Sequence, residues 1–388
     1  MQKLKILNIG WANSIHVART MRWFAEKGHE VSIITNVPQK IDGVKIYSIE
    51  KKSDFRPRRE RYRDLSFNVS WDWLRNLNAI LRLKRVVREI SPDIIHSHSL
   101  WYPGYLGIYL KFHPFAITVL NGDILWTKDD VGMNVHFFTK LRTYIGLKKA
   151  DLITGESEEL VNACIRRGAN KNKVHVMRGG VDLKLFNCNG NKIEIRRALG
   201  LPENSRIVLS PRNTASFYNL NNIVLAIPKV VKEVEDVLFV FIWHGDNIAK
   251  EKEIKQLASQ LAVQDAIRII GFVKHKQVAL YHKASDIMVS VSERDSGPVA
   301  LQEAMACGDV PVISNLPSVK EWVKDGWNGL LVEPNNVNQI ANSIITLLKD
   351  QPLRGTFAER NWKLIQKNGN QDYWMRKMED LYYSVVKR

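Results

Sequence analysis

Short apolar runs alternate along this chain with longer segments in which apolar residues recur every third or fourth position. The runs Leu4–Ile9, Val31–Thr35, Val44–Ile49, Pro92–His98, Phe115–Leu120, Asp151–Thr154 and Lys173–Met177 predict strands. Their near-continuous apolarity is what a parallel sheet covered on both faces requires. Ile15–Lys27, with Gly28 as its stop, and a segment capped by Ser157 and running to Arg167 predict helices between them. The pattern begins again with strands Ile207–Ser210, Val237–Trp243, Ile267–Ile270, Ser285–Ser290 and Val310–Ile313. Helices from Asn219 to Val231, up to Ala262 and over Lys276–Lys283 separate them, and Leu353–Gln366 and Asp372–Val386 close the chain. Regular strand and helix alternation predicts an α/β protein built on doubly wound parallel sheets. A chain of 388 residues exceeds what one core comfortably supports, so two domains are expected. The paired glycines of Arg178-Gly179-Gly180-Val181-Asp182 suit a hinge. The boundary is placed near Phe186, giving 1–186 and 187–366, with the last helix, 367–388, packing back on the first domain.

The most informative stretch is Val291 to Asn315, VSERDSGPVALQEAMACGDVPVISN, which joins two predicted strands through one turn and one helix. Pro298 presets the helical φ and lacks an N–H that a first turn could not use, so the helix is expected to run from Pro298 to Gly308. Glu293 to Gly297 then lies at the carboxyl end of a strand and the amino end of a helix, where open α/β sheets bind ligands and where free amides favour an anion such as phosphate. Asp295 and Glu303 flank that end. Carboxylates cannot neutralise a phosphate, but they accept hydrogen bonds from hydroxyls, and a phosphate centre with hydroxyls on either side describes a nucleotide-sugar. The same residues also suit an ordinary capped amphipathic helix with Glu303 in solvent.

This stretch resembles the signature of the family-4 retaining glycosyltransferases of GT-B fold, in which an acid, seven residues and a Glu are followed by Ala-Met-Ala-Cys-Gly. Glu303 to Gly308 match residue for residue, while Asp295 stands where Glu is usual. The resemblance implies two Rossmann-like domains facing each other across a cleft, with Asp295 contacting the donor sugar and Glu303 the ribose. It implies that Arg212 receives the donor diphosphate. The partner Lys expected five or six residues later is missing, with Phe217 and Tyr218 in its place. Gly271-Phe272-Val273 resembles the element that meets the nucleotide base, and His244-Gly245-Asp246 follows a strand as the family's Gly often does. Ser296, Gly297, Pro298 and Val299 complete the donor loop. The implied reaction moves a hexose-type sugar from a UDP- or GDP-sugar co-substrate to an acceptor, with no metal and no further cofactor.

In the first half, the loop with Gly10, Asn13, Ser14 and His16 contains no G-x-G-x-x-G. The family places this loop against the donor phosphates, which adds Gly10, Asn13 and His16 to the donor side; a His at a helix start is also a common structural feature. His96 and His98 share one face of a strand. His98 and Asp123 are candidates for the acceptor side, and His98 for catalysis with Asp295, Glu303 and Arg212. The His usual near Asn121 is absent.

Charge adds one element. The chain holds 57 Lys and Arg against 40 Asp and Glu, a formal +17, and Lys51 to Arg63 alone has seven basic residues and two acids. This passage runs into a helical stripe of Leu74, Leu77, Ile80, Leu81, Leu83 and Val87, preceded by Phe67, Trp71 and Trp73. Basic residues interleaved with Trp and Leu suit contact of Lys51–Arg88 with anionic lipid, and a solvated loop with a core-facing helix is the alternative. No apolar run reaches the ~18 residues of a membrane span and the start lacks a cleavage site, so a cytoplasmic protein, peripheral at the inner membrane face, is expected. Cys164, Cys188 and Cys307 form no metal-ligand spacing. A glycan or lipid-linked acceptor follows from the membrane reading. Two rival functions are a degenerate glycosyltransferase-like partner subunit and a basic nucleic-acid-binding protein, the latter without a reader motif.

Overall fold

The computed structural model of the chain describes residues 2–49, 69–125, 133–243 and 247–387. The most basic passage, Lys51 to Arg63, and His244-Gly245-Asp246 lie outside the described residues. Two compact units are present, Met1–Gly179 together with Met375–Arg388, and Gly180–Trp374.

The first unit is built on seven parallel strands: β1 (Lys5–Ile9), β2 (Glu30–Thr35), β3 (Val44–Ser48), β4 (Ile94–His98), β5 (Phe115–Val119), β6 (Leu152–Gly155) and β7 (Val174–Val176). Their order is β3-β2-β1-β4-β5-β6-β7, so the winding reverses between β1 and β4. Ile6 stands opposite Val31 on one side and Ile94 on the other. The end of helix Gln371–Val386 belongs to this unit. There Tyr382 stacks on Phe24 with centroids 5.1 Å apart, and Glu379 meets His29 at 2.9 Å.

The second unit repeats the plan with β8 (Arg206–Ser210), β9 (Val237–Trp243), β10 (Ile267–Phe272), β11 (Ile287–Ser290), β12 (Val310–Ser314) and β13 (Leu330–Val332), in the order β10-β9-β8-β11-β12-β13. Strand alternation divides its apolar residues between two cores. Val208, Phe239 and Phe241 enter one, with the buried faces of helices Leu220–Glu233 and Val337–Lys349. Ile207, Leu209, Leu238 and Val240 enter the other, with helices His275–Ala284 and Val299–Ala306. Both faces of the sheet are therefore dry, which explains why β9 is buried at every position. Helix Leu220–Glu233 turns Ile223, Val224, Ile227 and Val230 inward, at roughly 1.5–3 kcal/mol for each large side chain removed from water.

Three differences from the sequence reading have local causes. The division between units falls after Gly179 instead of near Phe186, because Phe186 is buried in the second unit's core. Helix Val299–Ala306 begins one residue later than expected, with Pro298 as its cap, and Gly308 follows at φ +80. Helix Val337–Lys349, absent from the sequence reading, is opened by Asn336, whose Oδ1 accepts from the Gln339 amide at 3.0 Å.

The chain enters and leaves the second unit side by side. Val181 N donates to Gly369 O at 2.7 Å, and Gln371 N donates to Val181 O at 3.1 Å. Gly180 sits there at φ +66, and a Cβ on it would lie 2.6 Å from Gln371 Cα. Gly200 has a similar φ of +64 with open space around it. Gly200→Ala is therefore expected to cost the left-handed backbone alone, about 1–2 kcal/mol. Gly180→Ala adds a backbone collision, so its urea midpoint should fall clearly further. Equal midpoints for the two variants would contradict the close approach.

Candidate functional site

The reversal in strand order places a crevice at the carboxyl ends of β8 and β11 in the second unit. Arg212 lies two residues beyond β8, and Asp295 lies in the loop after β11. Neither loop is constrained by the other in sequence, yet the folded sheet sets them together: an Arg212 Nη2 donates to Asp295 Oδ2. Arg212 is 8% exposed. Its guanidinium carbon lies 4.5 Å from the centre of the Tyr218 ring. The guanidinium is thus held by a carboxylate and by an aromatic face, two contacts that suit a flat, delocalised cation.

Burial alone would lower the pKa of Arg212, but the charge of Asp295 and the Tyr218 side chain outweigh it, with a smaller part from Glu303, and the group is held above its ordinary value. Arg212 remains a cation. Its Nε is buried without a hydrogen-bond partner. A buried donor costs on the order of 1–3 kcal/mol when left unpaired, which favours a ligand oxygen there.

Helix Val299–Ala306 presents its amino end to the same loop. No side chain caps that end, and its first turn carries no acid, so the dipole and amides stay positive toward the crevice. Ser296 and Val299 are buried beside it. The Gly297 amide donates to Asp295 Oδ1 at 3.3 Å, and the Ser318 hydroxyl donates to the Asp295 carbonyl. Asp295 is therefore fixed on both its side chain and its backbone. Ser210 and Ser314, at the carboxyl ends of β8 and β12, keep buried hydroxyls without a partner.

Glu303 is 6% exposed, so it does not sit in solvent as the capped-helix alternative required. Its Oε1 meets His275 Nε2 at 2.8 Å. The pairing of β10 with β9 shifts register between Ile269 and Gly271, which sits at φ +75, and resumes through Phe272 before the chain turns at Val273 into helix His275–Ala284. Phe272 is exposed and Val273 is buried. This turn carries His275 onto Glu303, a residue that the sequence reading missed. The only signal for it was proximity to the Gly271-Phe272-Val273 element.

The first unit gathers its candidates at its own reversal, between β1 and β4. A Cβ on Gly10 would lie 3.1 Å from His98 Cβ, so this glycine lets the loop close over the histidine. Asn13 and His16 are exposed in and just after that loop. His98 is 7% exposed, donates through Nε2 to Asn8 Oδ1 at 2.9 Å, and has its ring centre 4.2 Å from that of His96. Burial pushes its pKa down to about 4, so it is neutral near pH 7. The two nitrogens of His96 face Tyr382 and Thr118.

Asp123 is also buried. Its Oδ1 accepts from Ser99 Oγ and the Leu100 amide, and its Oδ2 from the Leu120 amide, each at 2.8 Å. Burial raises its pKa to about 6 against the pull of these bonds. The geometry makes Asp123 a tie between the loops after β4 and β5.

Two family models match the chain, one described as Glycosyltransferase Family 4 over residues 14–185 and one as Glycosyl transferases group 1 over residues 191–363. N-acetyl-alpha-D-glucosaminyl L-malate synthase of Bacillus anthracis is 24% identical over 374 residues, 94% of this chain and 91% of that protein. Alpha-monoglucosyldiacylglycerol synthase of Streptococcus pneumoniae is 23% identical over 380 residues, 92% of this chain and 80% of that protein. Among solved structures, sucrose-phosphate synthase from Thermosynechococcus elongatus superposes with a TM-score of 0.81 at 19% identity, over 98% of this chain and 99% of that one. The Anabaena HepE protein, in complex with UDP and glucose, gives 0.78 at 16% identity, over 98% and 100%. At such identities the structures speak to the fold.

The pairing of buried Arg212 with half-buried Asp295 yields a stability test. Asp295→Ala leaves the Arg212 cation enclosed without its carboxylate and is expected to cost about 3 kcal/mol, read as a lower urea midpoint. The double change Arg212→Met, Asp295→Ala should recover most of that loss, because no charge is left stranded. A single variant as stable as the double one would contradict the pairing.

Proposed function

The chain belongs to the group 1, family-4 glycosyltransferases of GT-B fold, and from that premise we propose that it moves a hexose-type sugar from a UDP- or GDP-sugar to an acceptor, with retention at the anomeric carbon. The observation that carries this reading is the Arg212 guanidinium, buried, charged and with an unpaired Nε, at the switch point of the second unit's sheet. The donor diphosphate binds there. As the bond from the sugar to phosphate breaks, negative charge grows on the leaving oxygen and is met by Arg212 and by the amino end of helix Val299–Ala306. These groups serve in place of a metal ion. Glu303, oriented by His275, accepts hydrogen bonds from the ribose hydroxyls. Asp295 keeps Arg212 in place and accepts from the sugar.

Retention follows if the acceptor hydroxyl attacks from the face that the diphosphate leaves, passing its proton to the departing phosphate oxygen. Neutral His98, already bonded to Asn8, is not needed as the base. A lipid-linked acceptor at the inner membrane face is supported by helix Val69–Ile90. Its Ala79, Leu83 and Val86 turn into the core, while Leu77 and Leu81 are exposed along with Lys84, Arg85 and Arg88. The name of the Streptococcus pneumoniae relative, a diacylglycerol glycolipid synthase, points the same way. Among the described residues, no helix is long and apolar enough to cross a membrane.

Thermal-shift screening against UDP-, GDP- and ADP-sugars identifies the donor, since a ligand of the native state raises its melting point. With that donor, Glu303→Ala and Arg212→Ala should each lower transfer by about 10²-fold or more, while melting stays cooperative. Undiminished transfer in both variants would overturn the assigned donor site.

A further inference from the structure

The first unit holds a second enclosed arginine, and its charge is met differently from that of Arg212. Arg142 lies on helix Met133–Lys149. Its guanidinium carbon is 4.6 Å from the centre of the Tyr105 ring and 5.8 Å from that of Trp101. Both rings belong to the segment that follows β4, and the charge also feels Asp123, in the turn that follows β5. Strands β4 and β5 are neighbours, so the cation stands at the carboxyl edge of the first unit's sheet, where open α/β sheets bind ligands. Asp123 directs its oxygens to other donors, Ser99 Oγ and the Leu100 and Leu120 amides. Arg142 Nε is buried without a hydrogen-bond partner. Among the described residues, none accepts a hydrogen bond from the Arg142 guanidinium. Burial lowers the Arg142 pKa in spite of the opposing pull of Tyr105, Asp123 and Tyr109, whereas at Arg212 the carboxylate prevails. The protein's own groups thus leave the Arg142 charge under-compensated.

From this arrangement we propose that the acceptor carries an oxyanion, a phosphate or a carboxylate, and that Arg142 receives it on the aromatic shelf formed by Trp101 and Tyr105. The inference rests on the reading that the chain is a glycosyltransferase whose first unit holds the acceptor. A neutral hydroxyl would pair an open N–H without meeting the charge. An oxyanion does both, and the planar fork of arginine matches two oxygens of one phosphate or carboxylate. The rings take the guanidinium by its face, which leaves its N–H edge for the ligand. Solvent reaches this place: Arg142, Trp101 and Tyr105 are half-buried, and Gly122 beside them is exposed. A Cβ on Gly122 would lie 3.3 Å from Trp101 Nε1, so a side chain there would crowd the indole that forms one wall. Asp123, which ties the loops after β4 and β5, fixes the spacing between the shelf and the cation. The acceptor residue that strand geometry placed at His98 and Asp123 is in this account Arg142, with Asp123 holding the loops around it.

Isothermal titration of the full chain with inorganic phosphate, glycerol 3-phosphate and succinate at constant ionic strength tests this, first without nucleotide and then with the Arg212 site filled by whichever of UDP, GDP and ADP the chain binds. Where the acceptor is soluble, at least one of the three anions should bind the wild-type chain in both conditions. Arg142→Gln should weaken that anion by roughly tenfold or more while changing the nucleoside diphosphate by less than about threefold. Arg142→Lys keeps a charge without the fork and should fall between the two. Tyr105→Leu removes part of the shelf under an intact cation and should weaken the anion as well. Flotation with phosphatidylglycerol and phosphatidylcholine vesicles separates the sources of the oxyanion. A lipid-borne phosphate predicts capture by phosphatidylglycerol vesicles that Arg142→Gln reduces severalfold, whereas a soluble acceptor predicts capture that the variant leaves unchanged. If neither an anion nor a vesicle is bound in a way that depends on Arg142, the proposal is overturned. So it is by an equal loss of anion and nucleotide in both Arg142 variants, which signals a disturbed fold. Anion binding that depends on Arg142 in a chain that binds no nucleotide would sink the donor-site reading and leave the anion site standing; nucleotide binding without it would do the reverse.

Discussion

A guanidinium enclosed by protein is tolerable only if its charge is answered, and the answer given to Arg212 organises the second unit's site. Its carboxylate partner, Asp295, comes from 83 positions along the chain, so the contact exists only when β8 and β11 lie side by side. The carboxylate leaves the Arg212 Nε unspent, and the Tyr218 ring covers the face of the cation without consuming its N–H groups. The result is a donor already desolvated and already oriented. Such a group need not reorganise when charge develops next to it, which is where electrostatic catalysis gains over water.

The surrounding elements follow from that constraint. Helix Val299–Ala306 is short and wholly apolar on its buried surface apart from Gln302 and Glu303, and Gly308, at φ +80, turns the chain from it toward β12. It can therefore bring an uncapped amino end and a buried carboxylate to one place. Glu303 tolerates burial because His275 meets it. The first unit has the same topology but fills its switch point differently. Its histidines lie against each other with tilted rings, bonded to Asn8, Thr118 and Tyr382, and in the case of His98 neutral near pH 7. Its polar residues there hold loops, and its exposed candidates are Asn13 and His16.

Much of this was legible in the order of residues. Apolar runs without alternation marked β1, β2, β9 and β12 because both faces of each sheet are covered, and Pro298 and Gly308 placed the critical helix to within a residue or two. Strand geometry correctly set His96 and His98 on one face. It could not say whether that face was open, since every residue of β4 is buried. Partnerships were the least legible. The pair Arg212 with Asp295 joins two loops and the pair His275 with Glu303 joins two helices, and only the folded sheet brings them into contact. Likewise Phe217 and Tyr218 read as the loss of a lysine, whereas their rings each carry an arginine.

The central claim is that buried Arg212, paired with half-buried Asp295 at the β8–β11 reversal, receives the diphosphate of an activated sugar. A crystal structure of the chain with UDP or GDP bound tests it most directly. The account predicts phosphate oxygens within about 3 Å of an Arg212 nitrogen and of the first amides of helix Val299–Ala306, with the ribose hydroxyls at Glu303. Nucleotide density at another place in the second unit, with Arg212 and Glu303 touching only protein, would contradict it.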